Sequence, residues 1–199
     1  PAPAAAFQSG ATSCPGGADP RFDLPLTPAT LDPALMDRAI RSHTNRERCD
    51  AGLAPLAAAP PLARAAAMQA GDMAAAATVA PVLPADPDKT LDRRYFLAGA
   101  SPHRQRGEIL MQIALESPGV ARVRSRAPRC DFPVAGPGSA LTPTHGSVAR
   151  RLVDAWMASE GMRATLMSPD WTEAGAAVAI RPVEGTCGDV YAAESFAKR

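Results

Sequence analysis

LVDAWMASEGMRATLMSPDWTEAGAAVAI, residues 152–180, carries more information about the fold than any other stretch of the chain. It reads as the end of an amphipathic helix through Trp156, a tight turn at Glu160 and Gly161, and a short irregular piece to Pro169. A strand is predicted from about Glu173 to Ile180, where small and branched apolar residues stand one after another.

That order of pieces resembles the signature of the CAP superfamily, the cysteine-rich secretory protein, antigen 5 and pathogenesis-related fold, in its bacterial SCP-like form. The family writes W-M-x-S-x-x-H-R-x-x-I/L-x-x-P-x-F/W-T-E-x-G. Trp156, Met157, Ser159, Arg163, Leu166, Pro169, Trp171, Thr172, Glu173 and Gly175 stand at the matching spacings. One position departs: Met162 stands where the family has a histidine of its metal-binding cluster.

Working outward, four further segments resemble the same family. GLAPL at 52–56, with Asn45 and Arg48 before it, resembles the opening N-x-x-R-x-x-x-G-L-x-P/A-L signature. PPLARAAAMQAGDMA resembles the second helix, and TLDRRYFLAGA resembles a short D-R-x-x-x-A-G helix through Asp92, Arg93 and Gly99. Gly107 and Glu108 resemble the start of the G-E-N-I element, with Ile109 in place of asparagine. The loop over 79–90, where the family places its other cluster histidine, contains none.

Local patterns agree with these assignments. Asp32 is an N-cap candidate and Pro33 a first helical residue, because proline has no amide hydrogen to lose there. Leu35, Met36, Ala39, Ile40 and His43 then recur on one face, and Gly52 stops the helix. Leu62, Ala66, Met68, Ala70, Met73 and Ala76 form the stripe of a second helix starting near Pro61. Val148, Leu152, Ala155 and Trp156 give one face of a later helix that begins at His145 or Ser147, and Val190, Ala192 and Phe196 suggest a final strand. The segment at about 115–143, rich in Pro, Gly and Arg, reads as an inserted loop with a short strand around Val120 to Val123. Residues 1–30 read as an extended Pro/Ala/Gly-rich arm or a poorly ordered tail, and 31–199 as one domain.

Composition sets limits on function. At 199 residues the chain suits one domain with a substantial core. A formal net charge of +1 gives no reason to expect nucleic acid as partner. Hydrophobic residues make up 46% but aromatics only 5%, so Ala, Leu, Val and Met must build a core in which helices approach closely. Uninterrupted apolar runs long enough to span a membrane are missing from the sequence. The opening PAPAAAF resembles the new N-terminus left when a secretory signal peptide is cleaved, and a chain cut there for other reasons would read the same way.

Cys14, Cys49, Cys130 and Cys187 are widely spaced and include no C-x-x-C pair, which favours two structural disulfides over zinc or redox chemistry. Three connectivities exist in principle. Cys14 with Cys49 and Cys130 with Cys187 are preferred, because each pair ties an irregular segment to a regular one and contributes roughly 3 to 4 kcal/mol. An oxidising compartment is then expected.

The family cluster that the resemblance implies needs imidazoles and carboxylates around one divalent ion. Of the three histidines, His43, His103 and His145, none stands at a matching position, and thioether does not replace imidazole for such an ion. Glu108 and Met162 are therefore read as the remnant of a cleft, with no metal, no cofactor and no catalytic residue expected. Met162 and the side chains around Leu83 are expected to close that cleft with apolar packing. Arg122, Arg124, Arg126 and Arg129 form a basic run, either a solvated face or a contact for an anionic partner.

The fold expected from the resemblance is α+β, a three-layer α-β-α sandwich with a small, mostly antiparallel central sheet. Retention of the scaffold with loss of the cluster points to a secreted or periplasmic, non-enzymatic bacterial protein. It would bind a protein or envelope component, or serve as a structural part of the cell envelope or an extracellular assembly. A degenerate hydrolase or peptidase and a lipid-binding carrier stay open as alternatives. The enzyme alternative requires His103 or His145 within reach of Glu108.

Overall fold

The computed structural model describes residues 13–17, 19–100, 104–116, 143–184 and 186–198. Helix α1 (Pro33–Asp50) is followed by the short strand β1 (Ala57–Ala58), helices α2 (Pro60–Ala76) and α3 (Leu91–Leu97), and strand β2 (Gln105–Ala114). Helices α4 (His145–Ala158) and α5 (Glu160–Leu166) precede strands β3 (Glu173–Arg181) and β4 (Asp189–Lys198). The sheet order is β1-β3-β4-β2; only the β1–β3 pairing is parallel. Strand β4 is therefore central and buried along nearly its whole length.

Strand alternation sends successive side chains of β2 and β4 to opposite faces. One face packs Ile109, Ala192 and Phe196 against α1 and α4, in the larger core cluster with Leu35, Ile40, Leu152 and Trp156. The other face packs Leu110, Ala193 and Ala197 against α2 and α3, with Ala66, Met73, Leu62 and Tyr95. Helices on both faces of a mostly antiparallel sheet are the α-β-α sandwich expected from the sequence.

The second face is built from alanine and glycine, and helix and sheet come very close there. A Cβ added at Gly175 would lie 2.1 Å from the backbone nitrogen of Ala63, so only glycine fits beneath the first turn of α2. On the first face, a Cβ at Gly107 would meet the Trp171 ring at 2.7 Å. Both glycines belong to the sequence signatures, and close approach of another group explains each.

α1 starts as expected, with Asp32 Oδ1 accepting from the backbone of Ala34 and Leu35 and Pro33 in the first turn. Gly52 takes φ +76° just past its end. Asn45 exchanges two hydrogen bonds with the backbone of Leu56, at 2.7 and 3.0 Å. Buried Arg48 donates to the carbonyls of Ala54, Leu166 and Ser168. The opening signature is thus a latch that ties α1 to the chain entering β1 and to the segment after α5.

One local reading changes. Residues 160–166 form helix α5 rather than a turn and an irregular piece, with Ser159 ending α4 and starting the next helix. Gly161 has open space where a Cβ would be, so it neither breaks the helix nor permits a close approach. The N-terminal segment also contributes to the body: a 3-10 turn over Pro20–Asp23 buries Phe22, and Leu26 is fully buried. Cys14 is joined to Cys49 by a disulfide, the pairing preferred from the sequence. Cys130, the proposed partner of Cys187, lies outside the described residues, as do the Val120 to Val123 strand, Arg122, Arg124, Arg126, Arg129 and His103.

Candidate functional site

Glu108 extends from β2 toward α3, on the same face as Leu110. Its side chain is 5% exposed, and Oε2 accepts a hydrogen bond from Arg94 Nη2 at 2.6 Å. Oε1 lies 3.4 Å from Ser195 Oγ on the adjoining strand. Burial pushes the Glu108 carboxyl up to about 7, with the Arg94 guanidinium and the Ser195 hydroxyl pulling against that rise.

Arg94 is the organiser of this neighbourhood. Its side chain is 1% exposed, and Nη1 donates to the carbonyls of Pro81 at 3.1 Å and Lys89 at 2.7 Å. One guanidinium thereby holds the strand carboxylate and both ends of the 81–89 loop. Tyr95, next along α3, donates its hydroxyl to the carbonyls of Gly107 and Phe196, and burial raises its phenol pKa strongly. Thr90 caps the start of α3, fixing the helix that presents both side chains.

Beside this pair a cleft of about 310 Å³ opens between α2 and residues 83–89. Leu83 lines it. Met162 does not; it packs on the first face, half-buried against the larger core cluster. Glu108 does not line this cleft either, and Met162 and Leu83 do not meet in it.

The donor set does not fit a divalent ion. A buried guanidinium occupies Oε2 of the Glu108 carboxylate, and among the described residues no imidazole is in contact with it. Among the described residues, no group of three or more His, Cys, Asp and Glu side chains could hold a metal. His145 is buried between two backbone segments: Nε2 accepts from the Asp32 amide and Nδ1 donates to the Leu24 carbonyl. His43 is half-buried on α1, its pKa lowered by burial and then by Arg46 and Arg150. Neither imidazole reaches Glu108 through these contacts.

A second buried carboxylate is one that sequence reasoning missed. Glu194, fully buried on β4, faces the first layer of helices and accepts from Thr44 Oγ1 of α1 at 2.9 Å. Its Oε1 has no hydrogen-bond partner among the described residues. Burial pushes its pKa up to about 8. The available signal is a lone acid amid alanines and aromatics, in YAAESFA at 191–197. Arg94 is equally visible, one residue beyond the matched Asp92 and Arg93.

The fold has counterparts among solved structures. One is an extracellular protein containing an SCP domain from Bacillus anthracis, with 17% identity and a TM-score of 0.56 over 88% of this chain. Another is an outer surface protein from Borrelia burgdorferi, with 17% identity and a TM-score of 0.54 over 81% of this chain and 91% of its own. The present chain spans 45% of the Bacillus protein's length. No curated protein sequence matches it closely enough to count as a relative. The model of the CAP family, described as the cysteine-rich secretory protein family, matches residues 41–187, and the chain belongs to that family.

Proposed function

We propose that this chain is a secreted or periplasmic CAP-domain protein that acts without catalysis, by binding another molecule as a component of the cell envelope or of an extracellular assembly. The observation that carries this reading is the Arg94–Glu108 pair. The acid that the family resemblance assigns to a metal cluster is enclosed and already matched by a cation of the chain itself. A group so held is a poor general base, because a base must face the proton it removes. Its environment suits a structural clasp.

Location is supported by two points. The matched family is described as secretory, and the two structural neighbours are described as extracellular and outer-surface proteins. The Cys14–Cys49 disulfide fits an oxidising compartment.

The test uses purified, oxidised protein. Titration with zinc and with calcium, followed by calorimetry, is expected to give no tight site, and peptide and ester panels no turnover above background. A tightly held divalent ion, or metal-dependent hydrolysis lost in Glu108→Gln, would overturn the reading.

A further inference from the structure

The cleft beside α2 carries an inference that deepens the binding-protein reading and rests on it. Its apolar lining comes from Ala75, Ala76, Leu83 and Ala85, and its volume of about 310 Å³ is at the small end of ligand-binding cavities. Three charged side chains join that lining: Asp72, Asp86 and Lys89. Lys89 is bridged to Asp72 at 2.7 Å. Asp86 has no ion-pair partner among the described residues, so the cleft presents one unmatched negative charge beside an apolar surface.

The cleft is also held open in advance of any ligand. Buried Gln69 donates to the Ala80 carbonyl at 2.5 Å, and Arg94 holds the carbonyls of Pro81 and Lys89. The loop forming one wall is thus pinned at both ends by side chains rooted in α2 and α3. Such a wall loses little freedom on binding, which favours even a small ligand.

We propose that this cleft binds a small amphipathic ammonium ion, a primary amine with a short apolar tail, with Asp86 as its charge partner. A carboxylate of the same shape meets Asp86 with the Lys89 charge already neutralised by Asp72. A neutral alcohol gains the apolar contacts alone. The order expected is therefore amine, then alcohol, then carboxylate.

The experiment is an NMR titration of the full oxidised chain with n-hexylamine, hexanol and hexanoate. Hexylamine is expected to move the methyl signals of Ala75, Ala76, Leu83 and Ala85 saturably. It should bind roughly three- to fivefold more tightly than hexanol, the worth of one exposed charge pair. Asp86→Asn should bring hexylamine down to the level of hexanol, and Ala76→Phe, which fills the cleft from an exposed helix position, should abolish the saturable shifts. Equal affinity for hexylamine and hexanoate would overturn the proposal. So would a preference for amine that survives Asp86→Asn, or saturable shifts that map elsewhere. The amine titrations are run without metal, so a failure here is separable from zinc uptake or hydrolysis at Glu108, which would defeat the binding-protein reading instead.

Discussion

Glu108 and Glu194 sit on neighbouring strands of one sheet, face opposite layers of helices, and are both buried, yet they are treated differently. Glu108 meets a guanidinium at 2.6 Å that also holds two loop carbonyls. Glu194 meets a single hydroxyl and leaves one oxygen without a partner among the described residues. Burial raises both pKa values, to about 7 where the guanidinium opposes it and to about 8 where the main opposing contact is Thr44. Both sites are more costly to ionise than surface acids, but only the first has been turned into an organising contact. The face of α2 and α3 therefore holds a clasp. The face of α1 and α4 holds an acid kept largely neutral at neutral pH.

Removing the clasp should break the comparison most severely. Arg94→Ala leaves the Glu108 carboxylate buried without its cation and frees the carbonyls of Pro81 and Lys89. The expected loss is roughly 3 to 5 kcal/mol in chemical denaturation, the scale for unpairing a buried ion. Arg94→Ala combined with Glu108→Gln should recover part of that loss, because the uncompensated charge goes with the acid. A double variant as unstable as the single one would show that the loop carbonyls, and not the ion pair, dominate.

The acid without a cation predicts a pH dependence. Glu194 has a folded-state pKa of about 8, above the 4.5 of an ordinary glutamate. The folded state therefore binds the proton more tightly than the unfolded state. This contribution is fully present below about 4.5, declines as pH rises, and is gone above about 8. Wild-type stability should fall between pH 5 and pH 9 by on the order of 3 kcal/mol from this residue, with a smaller decline from Glu108 that ends near pH 7. Glu194→Gln should flatten the upper part of that profile and leave the variant more stable than wild type at pH 9. An unchanged slope from pH 7 to 9 in urea titrations would mean that Glu194 does not carry it.

Close approach on the clasp face gives the next effect. Gly175→Ala places a methyl against the backbone of Leu62 and Ala63 and should cost about 2 kcal/mol or more by overpacking. Gly161→Ala is the control, since nothing lies within 4 Å of a Cβ there. It should be neutral or slightly stabilising in thermal melts, because alanine favours the helix.

These residues also show what the sequence can and cannot reveal. Asp32, Pro33 and Gly52 act locally, through a cap, a missing amide and a positive φ, so their roles are legible from their neighbours alone. Gly107 and Gly175 are visible as motif positions, but the Trp171 ring and the α2 backbone that require them come from distant segments. Strand β2 is legible only at Gly107 and Glu108; as an edge strand with adjacent Ile109, Leu110 and Met111 buried to different degrees, it lacks clean alternation. The apolar stripe of α1 ends in His43, whereas the buried face continues through Thr44 and Arg48. Polar residues fit that face because Glu194 and the Leu166 carbonyl wait opposite them, more than a hundred residues away. The same holds for the two residues read as a cleft remnant: Met162 matches a motif position by spacing and packs against the larger core cluster, while Glu108 meets Arg94 and Ser195, partners that no motif spacing names.

The smallest effect sharpens the contrast at a single atom, the oxygen of Glu194 that has a partner. Thr44→Val keeps the shape of the side chain and removes the hydroxyl that donates to Oε2. At pH 6, where Glu194 is mainly neutral, the loss should be about 1 kcal/mol, the net worth of one hydrogen bond. At pH 9 it should be larger, because the hydroxyl stabilises the charged form and its removal leaves a buried carboxylate with no donor. The same substitution in a Glu194→Gln background should cost the same at both pH values. If the cost there still grows with pH, the dependence does not come from Glu194, and the contrast between the two buried acids loses its electrostatic basis.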